Sequence, residues 1–561
     1  MNKIVGHFFG LYLIVILTIG ACAPAPVPAV ESTSLPLPKI STTIPTAKPT
    51  IPIPSPTATM TMTKDSNVWF SPSIPAEISK QLLPIVRLPR ASDKDAGSCL
   101  VETGNQNQVG TWVYALAAPF NTLTDNVDKD VFLGKWKDHA AAFPAQVILL
   151  DQESLAFISS ALGEPDPLSI KLVDSSQILQ GSWKNQNTWA IVPFDSLQPE
   201  WKVISISGFS PIHKEFDSNN YVLSIPFSLR CENSPEIMAK ARDTQITNRD
   251  SNFMTTIVMT GVTAMVRGTA YAMETKGITY PAKDIRDILR DADFTHISNE
   301  IPYWPKCPPP FLNPGEPKLE FCSAPKYNQL LEDVGADIIE LSGDHFNDWG
   351  PAATNYTIDL YKQLGWKYYG GGYNLEDGRK PLLIEHNGNK IAFLGCNAKP
   401  PGYGTASPTR PGAVHCNFDD MDARIKSVKE QGYIPIVTFQ HLEYYAYSIN
   451  PFLQKDFRNV ADAGAAIVSG SQAHQPQGIE FYNGSFLHYG LGNLFFDQYK
   501  EGFPTRQAFI DRYVFYKGKY ISTELITIMF TDLAHTRLMT NDERQDLLHT
   551  IFKVSIWPFS N

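Results

Sequence analysis

Four apolar runs in the second half of the chain are each followed at once by a polar cluster. This repeated juxtaposition constrains the fold more than any other feature. The runs are Thr295–Ile297, Asp337–Leu341, Ile434–Phe439 and Ala465–Ser469. The clusters are Ser298-Asn299-Glu300, Gly343-Asp344-His345, Gln440-His441-Leu442-Glu443 and Gly470-Ser471-Gln472-Ala473-His474. Short apolar runs bounded by polar residues read as buried strands, which places each cluster in the loop leaving its strand. In open α/β sheets such loops meet along one edge, where ligands bind. Carboxylates and imidazoles gathered there suit a divalent metal.

The rest of the chain fits an α/β class. From Ser251 onward the pattern predicts strands at Thr255–Val262, Phe294–Ser298, Asp337–Leu341, Leu382–Glu385, Lys390–Gly395, Ile434–Phe439, Ala465–Ser469 and Phe486–Tyr489. Helices are expected at Ala282–Ala292, Lys326–Val334, Ala353–Leu364, Asp420–Gln431 and Gln454–Ala463. Asn387-Gly388 suits a type I′ hairpin, whose two central residues need positive φ. Thr540-Asn541-Asp542-Glu543 is a capping box opening a last helix. Residues 65–245 alternate between strand-like and helix-like stretches and form a smaller α/β domain; 246–561 form the second. The segment Ala118–Val127 faintly resembles a strand-to-helix entry in extracytoplasmic solute-binding proteins. A solute receptor and a spacer both remain open for that domain.

The N-terminal residues are expected to lie outside the fold. Residues 1–22 read as a signal peptide with an apolar core too short to span a bilayer comfortably. Its end, Ile19-Gly20-Ala21-Cys22, resembles the bacterial lipobox, in which Cys22 is lipidated. Acylation there would anchor the protein to a membrane without a spanning helix. Residues 23–64, rich in Pro and Thr, form an extended disordered linker. An exported protein meets an oxidising compartment, and six further cysteines form an even set. Proximity favours Cys307–Cys322 and Cys396–Cys416, leaving Cys99–Cys231. With 57 acidic and 47 basic residues, a formal net charge of −10 argues against a nucleic-acid partner.

Residues 253–530 resemble the CapA-type poly-γ-glutamate capsule-synthesis family, which has the calcineurin-like metallophosphatase fold. The family's Asn-Leu-Glu segment is similar to Ser298-Asn299-Glu300. Its Asn-Asn-His…Asp-x-Gly segment is similar to Gly343-Asp344-His345…Asp348-Trp349-Gly350. His441-Leu442-Glu443 and Gly470–His474 resemble the two later histidine motifs, and Tyr489–Phe496 resembles the Ser-Leu-Gly-Asn-Phe signature. The resemblance implies a layered α/β/β/α domain.

It also implies a site. Glu300, Asp344, His441 and His474 would be metal ligands. His345 would be the general acid or anion-stabilising imidazole, and Asp348 would orient it. The cofactor would be one or two divalent ions (Mn, Zn or Fe). The chain departs from the pattern at two donors: Val262 stands where the family has a metal-binding Asp, and Gln472 stands for a His. The resemblance thus implies a surface-anchored, extracytoplasmic hydrolase of phosphoesterase or amidase type. It would act on an anionic capsule polymer or another cell-envelope substrate, with the membrane as partner through the N-terminal lipid. The alternative is a non-catalytic polymer- or ligand-binding lipoprotein with a degenerate metal site.

Overall fold

A computed structural model describes residues 66–559 apart from 186, 312–319 and 401–403. The expected signal peptide, Cys22, the linker and parts of the Pro/Gly-rich loops 308–317 and 399–412 lie outside the described residues. The described residues form one compact unit. Among the described residues, no helix is long and apolar enough to cross a membrane.

Residues 254–538 build two facing sheets. The first has eight strands. Lys367–Tyr369, Ala336–Glu340, Phe294–Asn299 and Met254–Thr263 run parallel, in that spatial order. Gln507–Tyr516, Lys519–Thr531 and His535–Leu538 continue the sheet antiparallel, and Asn493–Phe495 pairs with the end of Met254–Thr263. The second has six strands, in the order Leu382–His386, Asn389–Asn397, Ile434–Gln440, Ile467–Ser469, Ser485–His488 and Ile479–Tyr482; the middle four are parallel.

The alternation of side chains along each strand sorts them into layers. Ile257, Met259 and Ile338 of the first sheet pack with Ile391, Phe393, Ile436 and Ile467 of the second. Their strand neighbours face the other way. Val258, Ile297 and Ile339 pack against Leu330, Leu331, Ile358 and Tyr361 from helices on the outside of the first sheet. Ala392, Leu394, Val437 and Val468 meet Ile425, Val428, Phe457 and Val460 from helices Phe418–Glu430 and Pro451–Ala463. The result is the α/β/β/α layering that the family resemblance implies.

Residues 68–247 form a separate ten-stranded mixed sheet with its own helices. Its core takes in Met254, Val514, Tyr516 and Ile521, so it packs directly on the strands Met254–Thr263, Gln507–Tyr516 and Lys519–Thr531. Asn248 fastens the junction, donating to the Val113 carbonyl (2.9 Å) and accepting from its N–H (2.8 Å).

Most expected elements are present within a residue or two. Asn387 (φ 49°) and Gly388 (φ 76°) make the type I′ turn, and Thr540 and Glu543 form the capping box of helix Asn541–Val554. One expectation fails and one long element was not anticipated. The helix expected at Ala282–Ala292 is only Arg286–Arg290, preceded by a tight turn over Tyr280–Ala282 closed by Lys283 N–H to Tyr280 O (3.3 Å) and then by a bond from Ile285 N–H to Ala282 O (3.0 Å). Proline at 281 occupies the entry, and the short i→i+3 bonds that follow compete with a continuous helix. The long hairpin Gln507–Thr531 is absent from the sequence reading. It turns at Lys517-Gly518, again with two positive φ values (48° and 76°), but Lys-Gly is a weaker turn signal than Asn-Gly.

The disulfides are Cys99–Cys231, Cys307–Cys322 and Cys396–Cys416, the pairing that proximity favoured. Cross-links of this kind restrict the unfolded chain, each contributing typically about 2–4 kcal/mol. Thiol reductant is therefore expected to lower the melting temperature; a melt indifferent to reductant would show that the cross-links add nothing.

A second prediction concerns acid. His213 Nε2 lies 3.2 Å from Glu524 Oε1, and Arg512 Nη1 lies 3.1 Å from its other oxygen. Burial pushes the Glu524 carboxyl up, but the His213 hydrogen bond and the charges of His213, Arg512 and Arg544 outweigh it and hold the group at about 2. Burial likewise opposes charge on His213, and Glu524 reverses this and raises it. Stability from the depressed carboxyl is present above its ordinary value of about 4.5 and is lost as pH falls toward about 2. Glu524→Gln is expected to flatten the rise of melting temperature across that window, measured by thermal melts at stepped pH. An unchanged slope would remove the pair from the acid response.

Candidate metal centre

The parallel strands of both sheets end at one rim. Glu300 follows Phe294–Asn299, and its N–H donates to the Thr263 carbonyl (3.0 Å). Asp344 and His345 sit in the loop after Ala336–Glu340. Gly343 lets that loop lie on the Glu300 main chain: a Cβ at 343 would come within 2.7 Å of the Glu300 Cα and carbonyl oxygen. His474 follows Ile467–Ser469. Gly470 sits so close to the Tyr489 carbonyl that a Cβ there would lie 1.9 Å from its oxygen. Two features of the sequence, a glycine at 343 and one at 470, thus allow the loops to converge.

Below the rim the sheets are joined by polar groups. The buried Glu340 carboxyl accepts hydrogen bonds from Ser342 and Ser471, one from each side of the interface. Tyr369 OH reaches His296 Nε2 (2.8 Å) and Thr438 Oγ1 (3.0 Å). This layer aligns the loop of Asp344 with that of His474.

One ligand atom each from Glu300, Asp344 and His345 can be chosen so that all three lie within 4.8 Å of one another. His474 Nε2 is 3.9 Å from Glu300 Oε1. His474 Nδ1 is bonded to Asn493 Oδ1 (2.9 Å), and the Asn493 amide nitrogen donates to the His474 and Thr505 carbonyls (3.1 Å each), which leaves Nε2 as the ring nitrogen on the Glu300 side. His345 Nδ1 is 2.7 Å from Asp348 Oδ2, which also accepts the Phe321 N–H (2.8 Å). Asp348 thus orients His345 and does not cap the following helix, whose N-cap is Trp349.

The donor set fits a divalent ion. Both Glu300 carboxylate oxygens and Asp344 Oδ1 are buried without a hydrogen-bond partner. A buried carboxylate left alone is costly, and a cation bound there relieves it. Burial, reinforced by the Asp344 charge, pushes Glu300 up to about 8. Burial opposes charge on His345, but the Asp348 hydrogen bond and the charges of Glu300, Asp344 and Asp348 raise it to about 9. Burial also works against Asp344, yet the charges of Lys399 and His345 hold it below the usual range.

Of the residues expected here, His441 is not brought to the cluster. Its Nε2 bonds Asp456 of helix Pro451–Ala463 (3.0 Å), and its Nδ1 accepts the Leu442 N–H (2.8 Å), so both ring nitrogens are used. Glu443, two residues on, lies closer: Lys399 Nζ bridges its Oε1 (2.7 Å) and Asp344 Oδ2 (2.6 Å). The sequence places Asn493 in the Tyr489–Phe496 signature and Lys399 at the start of a Pro/Gly-rich loop, but assigns neither a role in the site. Lys399 stands two residues beyond strand Asn389–Asn397, so the rule that found the other clusters also reaches it. Arg267, with φ 46°, stacks on Phe496 (4.5 Å) and Phe321 (5.3 Å), whose ring in turn packs on His345 (4.7 Å). The two departures from the family pattern are buried. Val262 is fully enclosed, and the Gln472 amide has no partner on either atom.

Residues 256–498 match the family described as bacterial capsule synthesis protein PGA_cap. The C-terminal part of this chain is thus similar to the CapA capsule-biosynthesis family. It is 23% identical over 247 residues to "Capsule biosynthesis protein CapA" of Bacillus anthracis, covering 43% of this chain and 60% of that protein. It is 28% identical over 172 residues to "PGA biosynthesis protein CapA" of Bacillus subtilis (strain 168), covering 30% and 45%. The chain thus spans about half the length of these relatives. A solved 5'-nucleotidase precursor from Thermus thermophilus overlaps 52% of this chain and 55% of its own at 13% identity, with a TM-score of 0.32. Overlap at that level supports no inference.

The raised Glu300 carboxyl has a stability consequence. Its contribution is present below the ordinary carboxyl value of 4.5 and is lost as pH rises toward about 8. In chelator, the melting temperature is expected to fall across that range, and Glu300→Gln is expected to flatten the fall. A variant melting in parallel with the wild type would show that Glu300 is not the strained group.

Proposed function

We propose that the C-terminal part is a metal-dependent hydrolase acting in the synthesis, attachment or trimming of an anionic capsule polymer of the poly-γ-glutamate type. The observation that carries this is the convergence of Glu300, Asp344, His345 and His474 at one rim, with three carboxylate oxygens buried and unpartnered. The family relationship supports the polymer class and an extracytoplasmic or envelope location. Lipidation of Cys22, and membrane anchoring through it, belong to the same proposal.

Glu300, Asp344 and His474 would hold the ion, with Asn493 fixing the His474 ring and tautomer. A bound divalent ion supplies hydroxide at neutral pH and polarises the oxygen under attack. His345 has its Nδ1 on Asp348, and that hydrogen bond, with the charges of Glu300, Asp344 and Asp348, favours its charged form. It would stabilise charge developing on the substrate or pass a proton to the leaving group. The aromatic wall of Phe321 and Phe496, with Arg267 stacked on it, closes one flank of the His345–His474 region and limits water there.

A second reading, a polymer-binding protein with a degenerate site, is favoured by Val262 and Gln472. A panel of phosphoesters and γ-glutamyl peptides, assayed with added Mn, Zn or Fe, separates the two. The expected result is metal-dependent turnover with at least one bond class, lost on His345→Ala with the fold intact by circular dichroism. Polymer binding without turnover, unchanged by chelator, would overturn the hydrolase reading.

A further inference from the structure

A site of this kind with two ions needs donors that this chain lacks. Val262 presents no lone pair, Gln472 supplies at most an amide oxygen, and both ring nitrogens of His441 are engaged elsewhere. Yet Asp344 of the Glu300–Asp344–His345 cluster and Glu443 from a neighbouring loop still share one cation. Asp344 divides its two oxygens: Oδ1 is unpartnered, and Oδ2 meets Lys399 Nζ at 2.6 Å. Glu443 meets the same ammonium at 2.7 Å with Oε1, while Oε2 accepts the Tyr445 hydroxyl (2.9 Å).

The lysine is held in place. Its N–H donates to Asn397 Oδ1 (2.9 Å), and Asn397 Nδ2 donates to the Ser342 carbonyl at the root of the Asp344 loop (2.9 Å). The Cys396–Cys416 disulfide pins the strand end just before it. The Lys399 side chain is only 17% exposed. An ammonium is a compact cation whose N–H donors suit carboxylate oxygens, and one fixed by the chain needs no ion from solution.

We propose that Lys399 is a tethered cation standing in for a second divalent ion between Asp344 and Glu443, so that the site takes one ion per chain. This rests on the metal-centre reading above and sets its stoichiometry. It also accounts for the missing donors: with a single ammonium already shared by Asp344 and Glu443, a further carboxylate at 262 would add an uncompensated charge.

The test is Mn²⁺ titration by calorimetry, with elemental analysis of the dialysed protein, on the full chain and on Lys399→Met and Lys399→Arg. The expected stoichiometry is one ion for the wild type and Lys399→Arg, and two for Lys399→Met, whose neutral side chain leaves Asp344 and Glu443 to recruit a cation. Two ions in the wild type, two in Lys399→Arg, or one in both the wild type and Lys399→Met would overturn the proposal. If the wild type binds none and Lys399→Met binds one, the lysine substitution stands and the metal-dependent hydrolase reading falls. If neither binds, both fall.

Discussion

The packing of Ile257, Met259 and Ile338 against Ile391, Phe393, Ile436 and Ile467 carries the rest of the C-terminal architecture. It fixes two sheets face to face, and every parallel strand in each then delivers its following loop to the same rim. Residues as far apart in the chain as Glu300 and His474 meet because their strands belong to the two sides of this contact. The polar bridge from Glu340 to Ser471 sets the register of one side against the other. Apolar packing supplies the attraction, and these few directional bonds set the alignment.

The site above that contact is governed by charge. Glu300 is enclosed with no donor, whereas Asp344 has an ammonium on one oxygen and nothing on the other. The two carboxylates cannot be equally ionised at close range without a cation. Lys399 and His345 each supply part of the compensation, from opposite sides of the loop. The arrangement is asymmetric, and the asymmetry separates this chain from a symmetric two-ion clamp.

Much of this was legible before any coordinates. Strands fully buried between layers leave long apolar runs, and the polar residues that follow mark the rim, so Glu300, Asp344, His345 and His474 could be named from sequence. Cysteine proximity sufficed because two of the three bridges close short loops. His441 was misplaced because a strand end specifies where a residue starts, not which way its ring turns; Asp456, on a helix fifteen residues later, decides that. Lys399 was missed because a lone lysine in a Pro/Gly-rich loop resembles a solvated surface residue. Its role becomes visible only when Asp344 and Glu443 arrive from two other loops. The hairpin Gln507–Thr531 was missed for a local reason, since its turn residues are less distinctive than Asn387-Gly388.

The long hairpin belongs to two cores at once. Val514, Tyr516 and Ile521 are buried with the ten-stranded sheet, while Phe509 and Leu525 are buried between the two facing sheets, and strand Met254–Thr263 likewise begins in the one and ends beside the rim. The two halves of the molecule therefore share a spine. Cutting the chain near residue 250 would strip the cover from a greasy flank of the C-terminal half, so that fragment, prepared alone, would be prone to self-associate.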